Sequence, residues 1–172
     1  MAQVVMDGIL IGDAETKNIM TKSSLPVGGY SVNPYVGCTH ACKYCYASFM
    51  KRFTGHTEEW GTFLDVKHWP EIKNAEKYAG QRVVIGSVTD GYNPQEETFG
   101  NTRKLLEQLR GSGADILICT KSDLVKTRQN IKLALLGAFL DNLELVPVFS
   151  PYLVAGNTVL LFFMHNRPAH FL

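Results

Sequence analysis

The feature that narrows the fold most is a pair of short apolar runs, 82–88 (RVVIGSV) and 115–120 (DILICT), flanking a segment of helical periodicity. Runs of this length rich in Val and Ile read as strands buried on both faces, the kind found in parallel sheets. Between them Asn93, Pro94 and Glu96 make a helix-start pattern with a capping box. Leu105, Leu106 and Leu109 then give an apolar face, and Gly111 and Gly113 stop the helix. Strand, helix and strand in that order imply a parallel pair joined by a right-handed crossover. Ligands bind beyond the carboxyl ends of such strands, so 86–94 and 120–123 are candidate functional loops.

Other segments are expected to follow the same alternation. Residues 30–35 read as a strand running into a loop, and 41–53 as a helix whose C-terminal dipole favours Lys51 and Arg52 and which Gly55 closes. Trp69, Pro70, Ile72, Ala75 and Tyr78 suggest a second helix ending at Gly80. A further helical run is expected over 124–136 and a fourth strand over 143–149.

With 17 Lys and Arg against 16 Asp and Glu, the net charge of +1 gives no global basic field for a nucleic-acid backbone. A chain of 172 residues builds a core without disulfides, which leaves its four cysteines for chemistry. Residues 1–18 lack a basic start and are broken by Asp7, Gly8 and Gly12, so no secretory signal is read and a reducing cytoplasm is expected. Residues 133–172 hold only Asp141, Glu144 and Arg167 as charges. Their most apolar stretch, 154–164, is shorter than the roughly 20 residues of a membrane helix, so no membrane span is expected.

Cys38, Cys42 and Cys45 lie close enough in sequence for three soft thiolates to face one centre, which suits zinc or an iron-sulfur cluster. A structural zinc wants a fourth ligand, and only His40 and the distant Cys119 offer one. A 4Fe-4S cubane held by three cysteines instead leaves one iron open to a chelating small molecule.

The stretch GCTHACKYCYA resembles the signature of the radical S-adenosylmethionine superfamily, including the aromatic Tyr44 before the third cysteine. That resemblance implies a 4Fe-4S cluster on Cys38, Cys42 and Cys45 and S-adenosylmethionine as cosubstrate. It also implies reductive cleavage to a 5'-deoxyadenosyl radical, which abstracts hydrogen from a substrate the resemblance leaves open. SVNPYVGCTHACKYCYA, IGSVTDGYNPQEETFGNTRKLLEQL and ICTKSDLV are similar to the branch containing spore photoproduct lyase, photolyase-like proteins and a group encoded as pairs on mobile elements. The resemblance places Tyr44 against the adenine, Gly86, Ser87, Thr89 and Asp90 at the cosubstrate's amino group, and Lys121 and Ser122 at its ribose or carboxylate. An electron donor such as flavodoxin or ferredoxin is implied, with a paired radical protein as a further partner. The lyase's hydrogen-donor cysteine is absent from 86–89, so thymine-dimer repair is not implied.

The implied fold is α/β, a partial TIM-like barrel of parallel β/α units. Residues 1–27 would form an N-terminal extension, 28–136 the core, and 137–172 an apolar tail, an atypical or truncated barrel end. Two alternatives stay open: a zinc-binding or nucleic-acid interaction module using the same cysteines, and a truncated enzyme that binds the cluster without turnover. Lys51, Arg52 and Phe53, near His56 and Lys67, form a small basic patch with an aromatic, read more simply as a solvated helix end. Cys119 reads as a small buried hydrophobe, Tyr46 as core padding, and Asp90 as either a polar anchor or a local turn former. His40 reads as orienting the loop, and His56, His68, His165 and His170 as ordinary histidines.

Overall fold

The computed structural model describes residues 3–24, 29–126, 143–148 and 159–165. Its strands in chain order are β1 (Val4–Met6), β2 (Ile9–Glu15), β3 (Thr21–Lys22), β4 (Tyr30–Val32), β5 (Tyr35–Val36), β6 (Phe63–His68), β7 (Arg82–Ile85), β8 (Asp115–Thr120), β9 (Leu143–Val148) and β10 (Val159–His165). They form two mixed sheets, one in the order β1-β2-β6-β5 and one in the order β3-β4-β7-β8-β10-β9. The helices between β7 and β8 are α1 (Glu96–Phe99) and α2 (Asn101–Leu109).

The expected strand, helix and strand from 82 to 120 is present, with β7 and β8 parallel and Val84 opposite Leu117. The partial barrel of parallel β/α units is not. Among the described residues parallel pairing is confined to β2 with β6, β4 with β7, and β7 with β8, while β1, β3, β5, β9 and β10 all pair antiparallel. A barrel needs a helix after each strand to cover its outer face, and among the described residues only β7 is followed by an α-helix. Within 41–53 the chain is a 3-10 helix only over Tyr46–Phe53, because Ala41 at φ 47° and the cysteine turns occupy the earlier residues. Within 70–80, Asn74 at φ 55° leaves only the 3-10 turn Ala75–Tyr78. After β8 the chain makes the 3-10 turn Asp123–Lys126, and the rest of the expected 124–136 helix lies outside the described residues. The strand expected at 143–149 is β9, the outermost strand of its sheet, the place where Pro147 is tolerated. The stretch expected as an N-terminal extension supplies β1, β2 and β3.

The expected capping box forms in half: Asn93 Oδ1 accepts the Gln95 N–H at 3.2 Å, but Glu96 does not return to the Asn93 N–H. The Asn93 N–H goes to the Asp90 carbonyl, while the Glu96 carboxylate accepts the N–H groups of Thr102 and Arg103, each at 3.0 Å, at the start of α2. The Tyr35 hydroxyl donates to the same carboxylate. Asn101 Nδ2 donates to the carbonyls of Pro34 and Lys67, so this buried corner ties α2 to both β5 and β6.

Strand alternation decides where the site lies. Val83, Ile85, Ile116 and Ile118 pack with Leu105 and Leu109 of α2 in the main core. Val84 and Leu117 therefore face the other side of the sheet, where the cysteine loop lies. No helix among the described residues is long and apolar enough to cross a membrane.

Candidate functional site

The cysteine loop leaves β5 through Gly37, whose φ is 86° and whose Cβ, if present, would lie 2.6 Å from the Phe63 carbonyl oxygen. Only glycine fits both demands. Cys38 follows, 8% exposed, and Cys42 and Cys45 are half-buried. The Cys45 N–H closes a turn onto the Cys42 carbonyl at 3.0 Å. Two side chains pin the loop to the strand ends: Thr89 donates its hydroxyl to the Gly37 carbonyl, and Thr39 donates to Gln95 Oε1 at 2.6 Å.

All three cysteines line one open cavity of about 430 Å³, with Gly86, Ser87, Thr89 and Asp90 from the end of β7 and Thr120 and Lys121 from the end of β8. Val84, Leu117 and Ala47 supply apolar lining. The three loops expected to meet at one rim therefore do meet. Tyr44 lies at the cavity's edge, 55% exposed, with Lys121 Nζ 5.5 Å from its ring centroid. Ser122 lies apart, lining a neighbouring depression with Pro94 and Leu124 while its hydroxyl accepts the Leu124 N–H.

Asp90 acts as an anchor. Its Oδ1 accepts the Tyr92 N–H at 2.9 Å and the Thr120 hydroxyl at 2.7 Å, and its Oδ2 accepts the Lys121 N–H at 2.8 Å. His40 Nε2 stands 3.2 Å from Oδ2, close enough for charge attraction but off the hydrogen-bond line. Burial alone would raise the Asp90 carboxyl, yet His40 and these donors outweigh it and hold it below the usual carboxylate range. With its lone pairs occupied, Asp90 positions the strand ends. Thr89 and Ser87 are committed too, Ser87 to Ser31 at 2.5 Å and to Asn33 Nδ2 at 3.1 Å.

Lys121 is placed otherwise than expected, since its Nζ donates to Cys42 Sγ at 3.1 Å. Burial would push its ammonium down, but the Cys42 sulfur and Tyr44 hold it up, so the cation stays charged beside that sulfur. Burial pushes the Cys38 thiol up to about 11, so without a cation on its sulfur Cys38 stays protonated at neutral pH.

Sequence reasoning set Cys119 aside, yet it lines this cavity, and burial pushes its thiol up to about 11. The usable signal was parity: Cys119 shares a face with Leu117, opposite Ile116 and Ile118. Tyr46, read as core padding, is 71% exposed and donates its hydroxyl to the Ser87 carbonyl. Gly86, at φ 91°, passes so close to β8 that a Cβ would lie 2.5 Å from the Cys119 carbonyl oxygen. Gly86→Ala is therefore expected to cost roughly 1–3 kcal/mol, measurable as a lower urea midpoint with an unchanged slope.

No family model matches the chain. It is 38% identical to an uncharacterized protein of Methanocaldococcus jannaschii over 113 residues, 64% of this chain and 42% of that protein. It is 36% identical to an uncharacterized protein of Acidianus two-tailed virus over 108 residues, 56% of this chain and 35% of that one. An uncharacterized protein of Mycobacterium tuberculosis is 27% identical over 133 residues, 70% of this chain and 38% of its own. The chain thus spans about two fifths of the length of these relatives. No solved structure matches it.

The donor set can be tested against the two candidate metals. Among the described residues no three His, Cys, Asp or Glu side chains converge on a point that one ion could occupy. A cubane asks for something else, because each thiolate binds a different iron and the three sulfurs need only line one cavity. Cys38, Cys42 and Cys45 do that, as free cysteines.

Proposed function

We propose that this chain is an iron-sulfur protein of the radical S-adenosylmethionine kind, with Cys38, Cys42 and Cys45 holding a 4Fe-4S cluster. The observation that supports the reading best is the meeting of three free cysteines with the β7 and β8 ends around one cavity. When bound, the cluster would supply the electron that splits S-adenosylmethionine into methionine and a 5'-deoxyadenosyl radical able to abstract hydrogen.

The chain's own residues have definable tasks. Lys121, donating to the Cys42 sulfur, brings a positive charge to the place where the cluster's negative charge would accumulate. Ala47, Val84 and Leu117 limit water at the cavity wall, which protects a reactive carbon radical from side reactions. Tyr44 offers a ring face at the rim for a flat heterocycle such as adenine. Asp90, with both oxygens engaged, holds the two strand ends in register. The reading also proposes a cytoplasmic setting, where thiols stay reduced, and a flavodoxin or ferredoxin as electron donor, with a paired radical protein as a further partner.

Metal analysis of anaerobically purified protein tests this. About four irons with matching sulfide per chain are expected, together with 5'-deoxyadenosine on reduction in the presence of S-adenosylmethionine. About one zinc per chain would instead select a zinc-binding module. Iron without 5'-deoxyadenosine would select a cluster-binding protein without turnover.

A further inference from the structure

The segment after the cysteine loop is poorly held by its own side chains. Of the eight residues Tyr46–Phe53 only Ala47 is buried, while Phe49 and Phe53 are 46% and 67% exposed. Its attachment must come from its two ends. At the first, Tyr46 donates to the Ser87 carbonyl. At the second, Lys51 Nζ donates to the Thr57 carbonyl at 3.0 Å, and the chain turns inward at His56.

The His56 side chain is 8% exposed and stacks on Phe63, with 3.9 Å between ring centroids and 14° between planes. Its Nδ1 lies 3.0 Å from Glu58 Oε2, and its Nε2 lies 3.0 Å from Asp65 Oδ2. A neutral imidazole has one N–H, so a carboxylate at each ring nitrogen calls for the imidazolium. Asp65 is fixed in turn, because Gly12 of β2 passes so near that a Cβ there would lie 2.4 Å from Asp65 Oδ1. Asp65 also stands opposite Val36, two residues before Cys38. The contact from His56 to Asp65 thus joins the far arm of the cysteine loop to the strand that pairs with its near arm.

We infer that His56, as an imidazolium between Asp65 and Glu58, is a clasp that closes the cysteine-bearing loop onto β6 and releases it as pH rises. The role of that loop rests on the proposed function, but the clasp itself does not need a cofactor. Burial would push the imidazole down, and the two carboxylates outweigh it, holding His56 above its ordinary value. A raised value means the clasp is complete below the unfolded-state value of about 6.5 and is lost as pH climbs through the folded one. The other charged groups around it are Lys51 on its own segment, and Asp13 of β2 paired with His68 of β6 at 2.6 Å.

Limited tryptic cleavage after Lys51 and Arg52 reads the clasp in the full chain, from about pH 6 to about pH 9, normalised to an unstructured peptide of the same sequence. Cleavage of the wild type is expected to rise about fivefold toward the alkaline end. His56→Gln should be cut at the faster rate throughout. Asp65→Asn and Glu58→Gln keep the ring and its packing on Phe63, and should move the wild-type midpoint to lower pH. A flat wild-type profile, or His56→Gln cut at the slow rate, would overturn the inference. Iron uptake with a flat profile defeats the clasp alone, and a pH-dependent profile without iron uptake defeats the functional reading alone.

Discussion

Replacing Cys38 by Ala is expected to take the iron and sulfide content of anaerobically reconstituted protein from about four per chain to essentially none. A cubane with two thiolate ligands lacks an attachment for half its irons, and the cavity offers no equivalent donor in the same place. Cys42→Ala and Cys45→Ala should behave alike, because under the proposed function the three sulfurs act as one ligand set whose losses are not additive. Cys119→Ala is the internal control. Cys119 lines the same cavity but comes from β8 and not from the loop, so its loss should leave iron content unchanged. The fold should tolerate Cys38→Ala, since the thiol takes part in no disulfide and the change removes a single sulfur atom. Far-UV circular dichroism and thermal midpoint, measured without iron, check that point. Full iron retention by any of the three loop variants would end the assignment of that cysteine as a ligand.

The legible part of this fold was the part where one local signal had one meaning. The β-branched run at 82–85, the leucines of α2, and the run at 115–120 each fit a single element, and β7, α2 and β8 follow them. The misread part was the extension from one such unit to a barrel. Residues 41–53 lack Gly and Pro and so resemble a helix by composition. However, their aromatic residues find no core to pack against, and Tyr44, Tyr46, Phe49 and Phe53 are exposed. A helix without a buried face gains little from tertiary packing, and the turns at the cysteines set the local backbone instead. The antiparallel edges β1, β3 and β5 were invisible for a related reason: they are two or three residues long, too short for periodicity to show. In the site, spacing exposed the cysteines but not their neighbours. Lys121 reaches Cys42 across 79 positions, a contact that depends on two parallel strands ending side by side.

Asp90→Ala is expected to be the most destabilising single substitution at the rim, by about 3–5 kcal/mol, because it strands several buried donors at once. The Tyr92 N–H, the Thr120 hydroxyl and the Lys121 N–H all lose their acceptor, and His40 loses the charge it faces. For a chain of this size the thermal midpoint should fall by roughly 10 °C. The pH dependence separates this charge effect from simple loss of packing. Asp90 is held below its unfolded value, so its stabilisation is present above about pH 4 and disappears as pH falls through the lower folded value. Wild type and variant should therefore differ most at neutral pH and draw closer in acid without meeting, because the protonated carboxyl still accepts from these donors, whereas a pure packing defect would keep the gap constant at every pH. Asp90→Asn retains one oxygen, which can still accept from Tyr92 and Thr120, but it turns an amide N–H₂ toward the Lys121 N–H. It should lose less than the alanine variant at neutral pH and show the same flattened acid limb. Because the Lys121 backbone is one of the groups released, both variants should also loosen the ammonium beside Cys42, and iron uptake should weaken in step with the stability loss.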